Sequence, residues 1–405
     1  MLPQSLAGVR VVEWCEGIPG PYCGRLLTEL GADVVKVEAP GTGDAARRRP
    51  PFKAPRGRSS RSGGLSAMFL YCNAGKRGVT LRPETTEGRR IMEALLAAAD
   101  VLIEDRPPGL MHELGLGYKA LRARDPRLVI ASITPFGQDG PYARYKAYAL
   151  NLFHAGGEGY IQPGGPGYGA HPERPPLMAG GDFSEAACGS TAAAGVIAAL
   201  FRRGRTGRGD HIDLSCQEAL MTLGRAELAA YPNAGFIEER RNRWINLGGL
   251  MPTADGYVEM VLTEPRMWEG LVRAMGNPAW AGDPAYATPD ERSRRKFEIN
   301  PRIEAWTRSL PGREVREALQ ANQCPAFEVR TVEELAGARQ YQERGFWVDE
   351  KDGALGRART PSTPFGGPKP HLGPAPRLGQ HNAQVYRELE LRAGDLRRLE
   401  AEGVI

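Results

Sequence analysis

VRVVEWCEGIPGPYCGRLLTELGADVVKVE, Val9 to Glu38, is the stretch that decides the fold class. Val9–Trp14 is a short β-branched run, and GIPGPY interrupts it. Leu26, Leu27 and Leu30 then recur at helical spacing as far as Gly31, and Ala32–Glu38 reads as a second strand. Strand, glycine-bearing turn, helix and strand make a βαβ unit, and a crossover that carries a helix returns the chain in the same direction, so the sheet is parallel. The alternation continues with a strand at the end of Cys72–Leu81, a helix over Glu87–Ala98 and a strand over Ala99–Asp105. A helix near MHELGL and a buried strand in Pro126–Phe136 follow. The first 200 residues therefore predict a doubly wound α/β domain. Ligands in such sheets sit beyond the carboxyl ends of the strands, which singles out the loops after Trp14, Glu38, Asp105 and Ile133.

Outward from this core, GTGDAA at Gly41 matches GxGxxA but follows the second strand and leads into RRRPPFKAPRGRSSRSGG instead of a helix. It is a weak dinucleotide fingerprint, and the arginine-rich segment reads as an exposed loop, a possible cover for a binding site. A second loop, QPGGPGYGAHPERPP, spans Gln162–Pro176. Asp182 and Glu185 then stand at the start of a small-residue helix of about Ala186–Arg203, before a TGRGD turn and a HIDLS strand. The positive end of a helix dipole keeps carboxylates anionic, ready to attack or to take a proton. The same Asp-x-x-Glu is also a capping box. Gly189, Ala192, Ala193, Gly195, Ala198 and Ala199 suit close packing of that helix or close approach of a ligand.

A change of pattern near Gly248 marks a second domain. TADGYVEMVL reads as a strand, EPRMWEGLVRAMG as an amphipathic helix with Trp268 and Leu271 on one face, and REVREALQ as another helix. Beyond Phe346 the proline- and glycine-rich tail cannot form a core alone and must lie along other structure, in its own subunit or a partner's. A last amphipathic helix, AGDLRRLEAEGVI, ends the chain.

With 405 residues the chain has room for two or three domains, and 41% hydrophobic and 25% charged residues are ordinary for a globular protein. The net charge of +5, mostly arginine, suits either a solvated basic surface or a phosphate-bearing ligand. No basic stretch interleaved with aromatics points to nucleic acid. Six scattered cysteines without a CxxC pair read as free thiols, and the six histidines lack metal-ligand spacing, so neither a disulfide framework nor a metal site is expected. No charged-then-apolar leader and no apolar run of membrane-spanning length is seen, so no membrane association and a cytoplasmic location are expected. There is no GxSxG elbow, P-loop or redox dithiol.

Motifs over nearly the whole chain resemble the family III coenzyme A transferases, the group that includes formyl-CoA transferase, carnitine CoA-transferase and α-methylacyl-CoA racemase. They are LAGVRVVEWCEGIPGPYCGRLLTELGADVVKVEAPGTGD, NAGKRGVTL, ADVLIEDRPPGLMHELGLGYKALRARDPRLVIASITPFGQDGPYA, GVIAALFRRGRTGRGDHIDLS and TPFGGPKPHLGPAPRLGQHNAQVYREL. The resemblance implies an interlocked homodimer, or a heteromer with a homologue. It implies a large nucleotide-binding-like α/β domain (1–205) and a smaller α+β domain inserted at 226–325. Linkers would occupy 206–225 and 326–345, and the tail 346–405 would complete the large domain.

It further implies a catalytic carboxylate four residues before a glycine, which attacks an acyl-CoA thioester. A mixed anhydride and then an enzyme–CoA thioester form, and a carboxylic acid collects the CoA, with no cofactor beyond the CoA thioester substrate. Aligned on Gly189, Gly195 and Ala198–Leu200, that position is Glu185, where the family has aspartate. The extra methylene moves the carboxylate by about 1 Å. Asp182 serves as its cap or second carboxylate, or is itself the reacting group, and a site without a nucleophile is the third reading. By resemblance Gly17 and Ile18 face the thioester, Leu81 lies by the adenine, and Ala39, Leu110 and Thr134 fall at further CoA positions. Asp105-Arg106 replaces Asn-Phe, and Glu113 replaces a basic residue, so Arg106, Lys76 or Arg77 is expected to meet the phosphates. A 2-methylacyl-CoA racemase is the alternative activity, although Ala147 and Tyr148 stand where racemases carry His-Asp and His154 lies seven positions on. A weakly active partner subunit of a heteromeric transferase is a third.

Overall fold

The computed structural model describes residues 4–53, 65–164, 172–240, 247–352 and 356–405. Residues 54–64 of the arginine-rich segment and 165–171 of the glycine-rich loop lie outside the described residues. The chain divides into two compact units, one of Met1–Gly156, Ala179–Leu223 and Arg339–Ile405, the other of Gly157–Met178 and Gly224–Ala338.

In the first unit the predicted alternation is present in order: β1 (Arg10–Trp14), α1 (Pro19–Glu29), β2 (Asp33–Glu38), β3 (Arg77–Thr80), α2 (Thr86–Ala97), β4 (Val101–Glu104), α3 (Tyr118–Arg124), β5 (Val129–Thr134), α4 (Ala149–Ala155), α5 (Phe183–Thr206), β6 (His211–Ser215) and α6 (Cys216–Met221). The strands form one parallel sheet in the order β3-β2-β1-β4-β5-β6. This order reverses between β1 and β4, and there the two neighbouring loops diverge to leave a crevice at the carboxyl ends. Alternate side chains enter two cores. Val11, Val101, Ile103, Val129, Ala131 and Ile133 meet Leu27 of α1, Cys188, Ala192 and Val196 of α5, and Leu220 of α6. Val12, Val35, Val37, Val79, Leu102 and Ile130 meet Ile91, Met92 and Leu95 of α2.

The second core is completed from the far end of the chain by Val385, Tyr386, Leu399 and Ile405. The tail also satisfies the edge strand β3. Gly78 N donates to His381 Nδ1 and Thr80 N to Asn382 Oδ1, both at 2.9 Å, and Tyr386 Oη donates to Thr80 O at 2.6 Å. An exposed parallel edge is thereby capped by side chains. The tail is not wholly irregular, because Trp347–Asp352 pairs antiparallel with Gly356–Pro361. Residues 206–225, expected as a linker, carry β6, which forms the outer strand beside β5.

α5 packs through its small residues. A Cβ at Gly189 would lie 2.6 Å from the Pro19 carbonyl oxygen and 3.2 Å from Cys23 N, so α1 and α5 touch backbone to backbone. The expectation that no apolar run reaches membrane-spanning length is corrected here: by length and composition α5 would suffice. Its Cys188, Ala192, Val196 side belongs to the first core, and Arg203 and Arg205 occupy its last turn, as in the central helix of an α/β layer.

The second unit has a three-stranded antiparallel sheet of β7 (Gly248–Pro252), β8 (Tyr257–Val261) and β9 (Ala326–Glu328), with β8 in the middle. Trp268 and Leu271 of α7 (Pro265–Ala274), Ile299 and Ile303 of α8 (Lys296–Arg308) and Val315 and Leu319 of α9 (Gly312–Ala321) bury against it. Residues 326–345, expected as a linker, thus begin with a strand of this sheet.

Candidate active site

The loop after β1 is held by buried charge. Gly17, at φ +76°, donates its N–H to Asp44 Oδ1 at 2.9 Å. Asp44 is paired with Lys36 Nζ at 2.9 Å, and Lys36 also reaches Glu13 at 3.2 Å and the Cys15 carbonyl at 2.9 Å. Burial pushes the Asp44 carboxyl up, but Lys36 and the Gly17 and Ala46 N–H groups outweigh it and hold the group below its usual range. The GTGDAA run thus contains the aspartate that caps the turn Ala45–Arg48 and orients the β1 loop. Across the crevice Glu16 N donates to Asp105 Oδ2 at 2.8 Å, which ties the loops after β1 and β4 together.

At the start of α5, Asp182 occupies the N-cap position, but its side chain makes no capping hydrogen bond. The capping box does not form, because Arg49 takes the carboxylate instead: Nη2 donates to Asp182 Oδ1 at 2.5 Å, and Nη1 lies 3.7 Å from Glu185 Oε1. A charge-assisted bond is stronger than a neutral cap. Burial and the charge of Asp182 push the Glu185 carboxyl above its ordinary range, and Arg49 opposes them. Glu185 is therefore a partly desolvated carboxyl, more basic than a free one, at the positive end of a 24-residue helix.

These groups open onto a cavity of about 480 Å³. Glu16, Gly17, Ile18 and Pro19 come from the β1 loop, Asp105 from the β4 loop, and Ile133, Thr134 and Pro135 from the end of β5. Ser184, Glu185 and Cys188 come from α5, with Arg49, Leu152, Cys216 and Leu220 closing the walls. Of the residues singled out in the sequence, Glu185, Gly17, Ile18, Asp105 and Thr134 are brought together here, with Asp182 beside them through Arg49. Ala147 and Tyr148 also line the cavity, whereas His154 is not part of the lining.

The others lie elsewhere. Lys76 is buried and spends all three protons, on Glu13 Oε2 (2.6 Å), Pro21 O (2.8 Å) and Asn73 Oδ1 (2.9 Å). Arg77 starts β3, at the amino end of the sheet, and forks onto both oxygens of Asp33 while reaching Glu388 at 2.6 Å. Arg106 is paired with Asp105 and Glu16 and lies over the Trp14 ring. Each of these cations would have to leave a carboxylate to meet a phosphate. Burial raises the Asp105 carboxyl, with Arg106 opposing. Leu81 is buried in the second core, Leu110 packs partly against it, and Ala39 and Glu113 are exposed.

Sequence reasoning missed Arg49, Glu16, Ser184, Cys188 and Cys216 as cavity residues. The last three were legible in principle. Ser184 and Cys188 are one helical turn apart and flank Glu185, and Cys216 directly follows β6. Arg49 belongs to the arginine-rich segment read as a cover for a binding site, but nothing local set it apart from Arg47 and Arg48, because its partner Asp182 is 133 residues away.

The sequence profile of CoA-transferase family III matches residues 6–382. The formyl-CoA:oxalate CoA-transferase of Streptomyces avermitilis is 32% identical over all of both chains. The succinate–glutarate CoA-transferase of Agrobacterium fabrum is 33% identical over 95% of this chain and 96% of that one. The succinyl-CoA–D-citramalate CoA-transferase of Chloroflexus aurantiacus is 30% identical over all of this chain and 98% of its own. Among solved structures, a CaiB/BaiF family protein from Brucella suis superposes with a TM-score of 0.81 at 29% identity, covering 95% of this chain and 99% of its own. This chain is a member of CoA-transferase family III, an enzyme class that moves coenzyme A between an acyl-CoA and a carboxylate.

Proposed function

We propose that Glu185 is the nucleophile of this transferase. Its carboxylate attacks the thioester of an acyl-CoA and gives a mixed anhydride with release of CoA thiolate. The thiolate then attacks the Glu185 carbonyl, the donor acid leaves, and an enzyme–CoA thioester remains. An acceptor carboxylate reverses the sequence and departs as its CoA thioester. No net proton is gained or lost, which suits a site whose only requirement is an ionised carboxylate. The observation that carries this reading is the position of Glu185 at the positive end of α5, within the cavity at the point where the strand order reverses. Gly17 and Ile18 beside it are proposed to face the thioester. Asp182 is proposed to anchor Arg49, so that Arg49 stays in the cavity after Glu185 has been acylated and lost its charge.

The relatives named above act on oxalate, succinate, glutarate or citramalate, so short dicarboxylic acids are the acceptors to assay first. The proposed assembly is an interlocked homodimer with the second unit as the inserted domain. Apolar side chains exposed on the first unit, Ile197 and Phe201 of α5 among them, supply surface for a partner. Steady-state transfer from succinyl-CoA tests the role of Glu185. Glu185→Gln is expected to lose about a thousandfold or more in kcat, and Asp182→Asn to stay within about tenfold. The reverse order would make Asp182 the nucleophile.

A further inference from the structure

Two hydroxyls in the cavity are without partners. Thr134, the last residue of β5, and Ser184, in the first turn of α5, are each 1% exposed and line the cavity. Neither Thr134 Oγ1 nor Ser184 Oγ has a hydrogen-bond partner among the described residues. Ser132 and Thr28, buried in the same unit, are paired, with His211 Nε2 and with the Gly24 carbonyl, both at 2.9 Å, whereas Ser362, the other unpaired buried hydroxyl among the described residues of this unit, does not line the cavity. A buried donor left unmade is a cost of desolvation with nothing in return, unless a ligand supplies the acceptor.

The surroundings select that ligand. Ile18, Ile133, Leu152 and Leu220 make the walls apolar, and the charged groups around them are already matched, Glu185 and Asp182 by Arg49, and Glu16 and Asp105 by Arg106. What fits is an oxygen that is neutral on arrival and gathers charge during reaction. We propose that the Thr134 and Ser184 hydroxyls are catalytic donors to the carbonyl oxygen of the acyl thioester, an oxyanion subsite served also by the positive end of α5. This rests on the Glu185 reading above. As a Glu185 oxygen adds to the thioester carbon, the carbonyl π pair moves onto the oxygen, and both hydroxyls hydrogen-bond to it while keeping their protons. Collapse then breaks the C–S bond, CoA leaves as thiolate, and the anhydride remains. Neutral donors suit this position, because a second cation would pair with Glu185 and blunt its attack.

The test compares Thr134→Val, Ser184→Ala and the conservative Thr134→Ser with wild type, using succinyl-CoA and butyryl-CoA as donors. Either hydroxyl deletion is expected to lower kcat about 10²–10³-fold for both donors, with KM within about threefold. Thr134→Ser is expected to keep most of the activity. The thermal midpoint is expected to hold or rise, since an unsatisfied buried hydroxyl has been removed. Single-turnover formation of the CoA adduct at the wild-type rate in both deletions would overturn the subsite while leaving Glu185 in place. A loss confined to KM, or confined to succinyl-CoA, would overturn it as well. A fall in midpoint shared by Thr134→Ser would assign the hydroxyls to packing. Failure of wild type to form any adduct would instead overturn the Glu185 reading and this inference with it.

Discussion

Glu185 sits under opposed influences: burial and Asp182 push its carboxyl up, and Arg49 pulls it down. An attacking carboxylate must be ionised, so activity is lost as pH falls through its pKa. Arg49→Gln removes the downward pull and moves that loss to higher pH, by about one unit. The acid limb of kcat/KM against pH measures it, and an unmoved limb would mean that Arg49 does not act on the reacting group. Lys76 makes the opposite case. Its ammonium is enclosed by Glu13, Pro21 and Asn73, so Lys76→Met is expected to cost about 3–5 kcal/mol in urea unfolding, because Glu13 loses a partner in the interior. The KM for succinyl-CoA in the folded fraction is expected to change little. Asp182 and Glu185 were legible in the sequence because a helix start is a local signal. Lys76 was not, since an NKR-type run looks the same whether its lysine meets a phosphate or a buried glutamate.

At the scale of elements, α5 carries both the fold and the site. Its glycine at position 189 lets the α1 backbone approach so closely that a methyl group would sit 2.6 Å from the Pro19 carbonyl oxygen. Gly189→Ala is expected to cost about 1–3 kcal/mol, read as a lower denaturation midpoint, and to reduce activity as well, since α1 begins at the loop that carries Gly17 and Ile18. A variant as stable as wild type would show that the helices separate without strain. The βαβ periods named every strand of the parallel sheet, because hydrophobic alternation and glycine turns are written locally. The antiparallel pair Trp347–Asp352 with Gly356–Pro361 escaped notice, because its charged and glycine-rich sequence has no apolar alternation. The capping box failed for a different reason: a distant arginine competed for the same carboxylate.

The whole molecule depends on its last residues. Val385, Tyr386, Leu399 and Ile405 close one face of the sheet, and His381 and Asn382 satisfy the backbone of β3. Deleting residues 381–405 is expected to abolish cooperative unfolding by near-ultraviolet circular dichroism and thermal scan. A truncated chain with a wild-type melting curve would contradict the account of the tail. That the tail lies on other structure was readable from its composition. Where it lies was not, because the bonds to β3 span about 300 residues and depend on the shape of a folded edge. The same limit separated the cavity from its parts. The sequence named loops after β1, β2, β4 and β5, but which side chains meet there depends on the strand order.

On the proposed mechanism Glu185 carries coenzyme A covalently. Incubation of the wild-type protein with succinyl-CoA, borohydride-free quenching at low pH, proteolysis and mass spectrometry test it directly. The expected result is a CoA thioester on the peptide containing Glu185, absent in Glu185→Gln and discharged by added acceptor acid. A CoA adduct on Asp182, or none at all while CoA transfer proceeds at a normal rate, would contradict it.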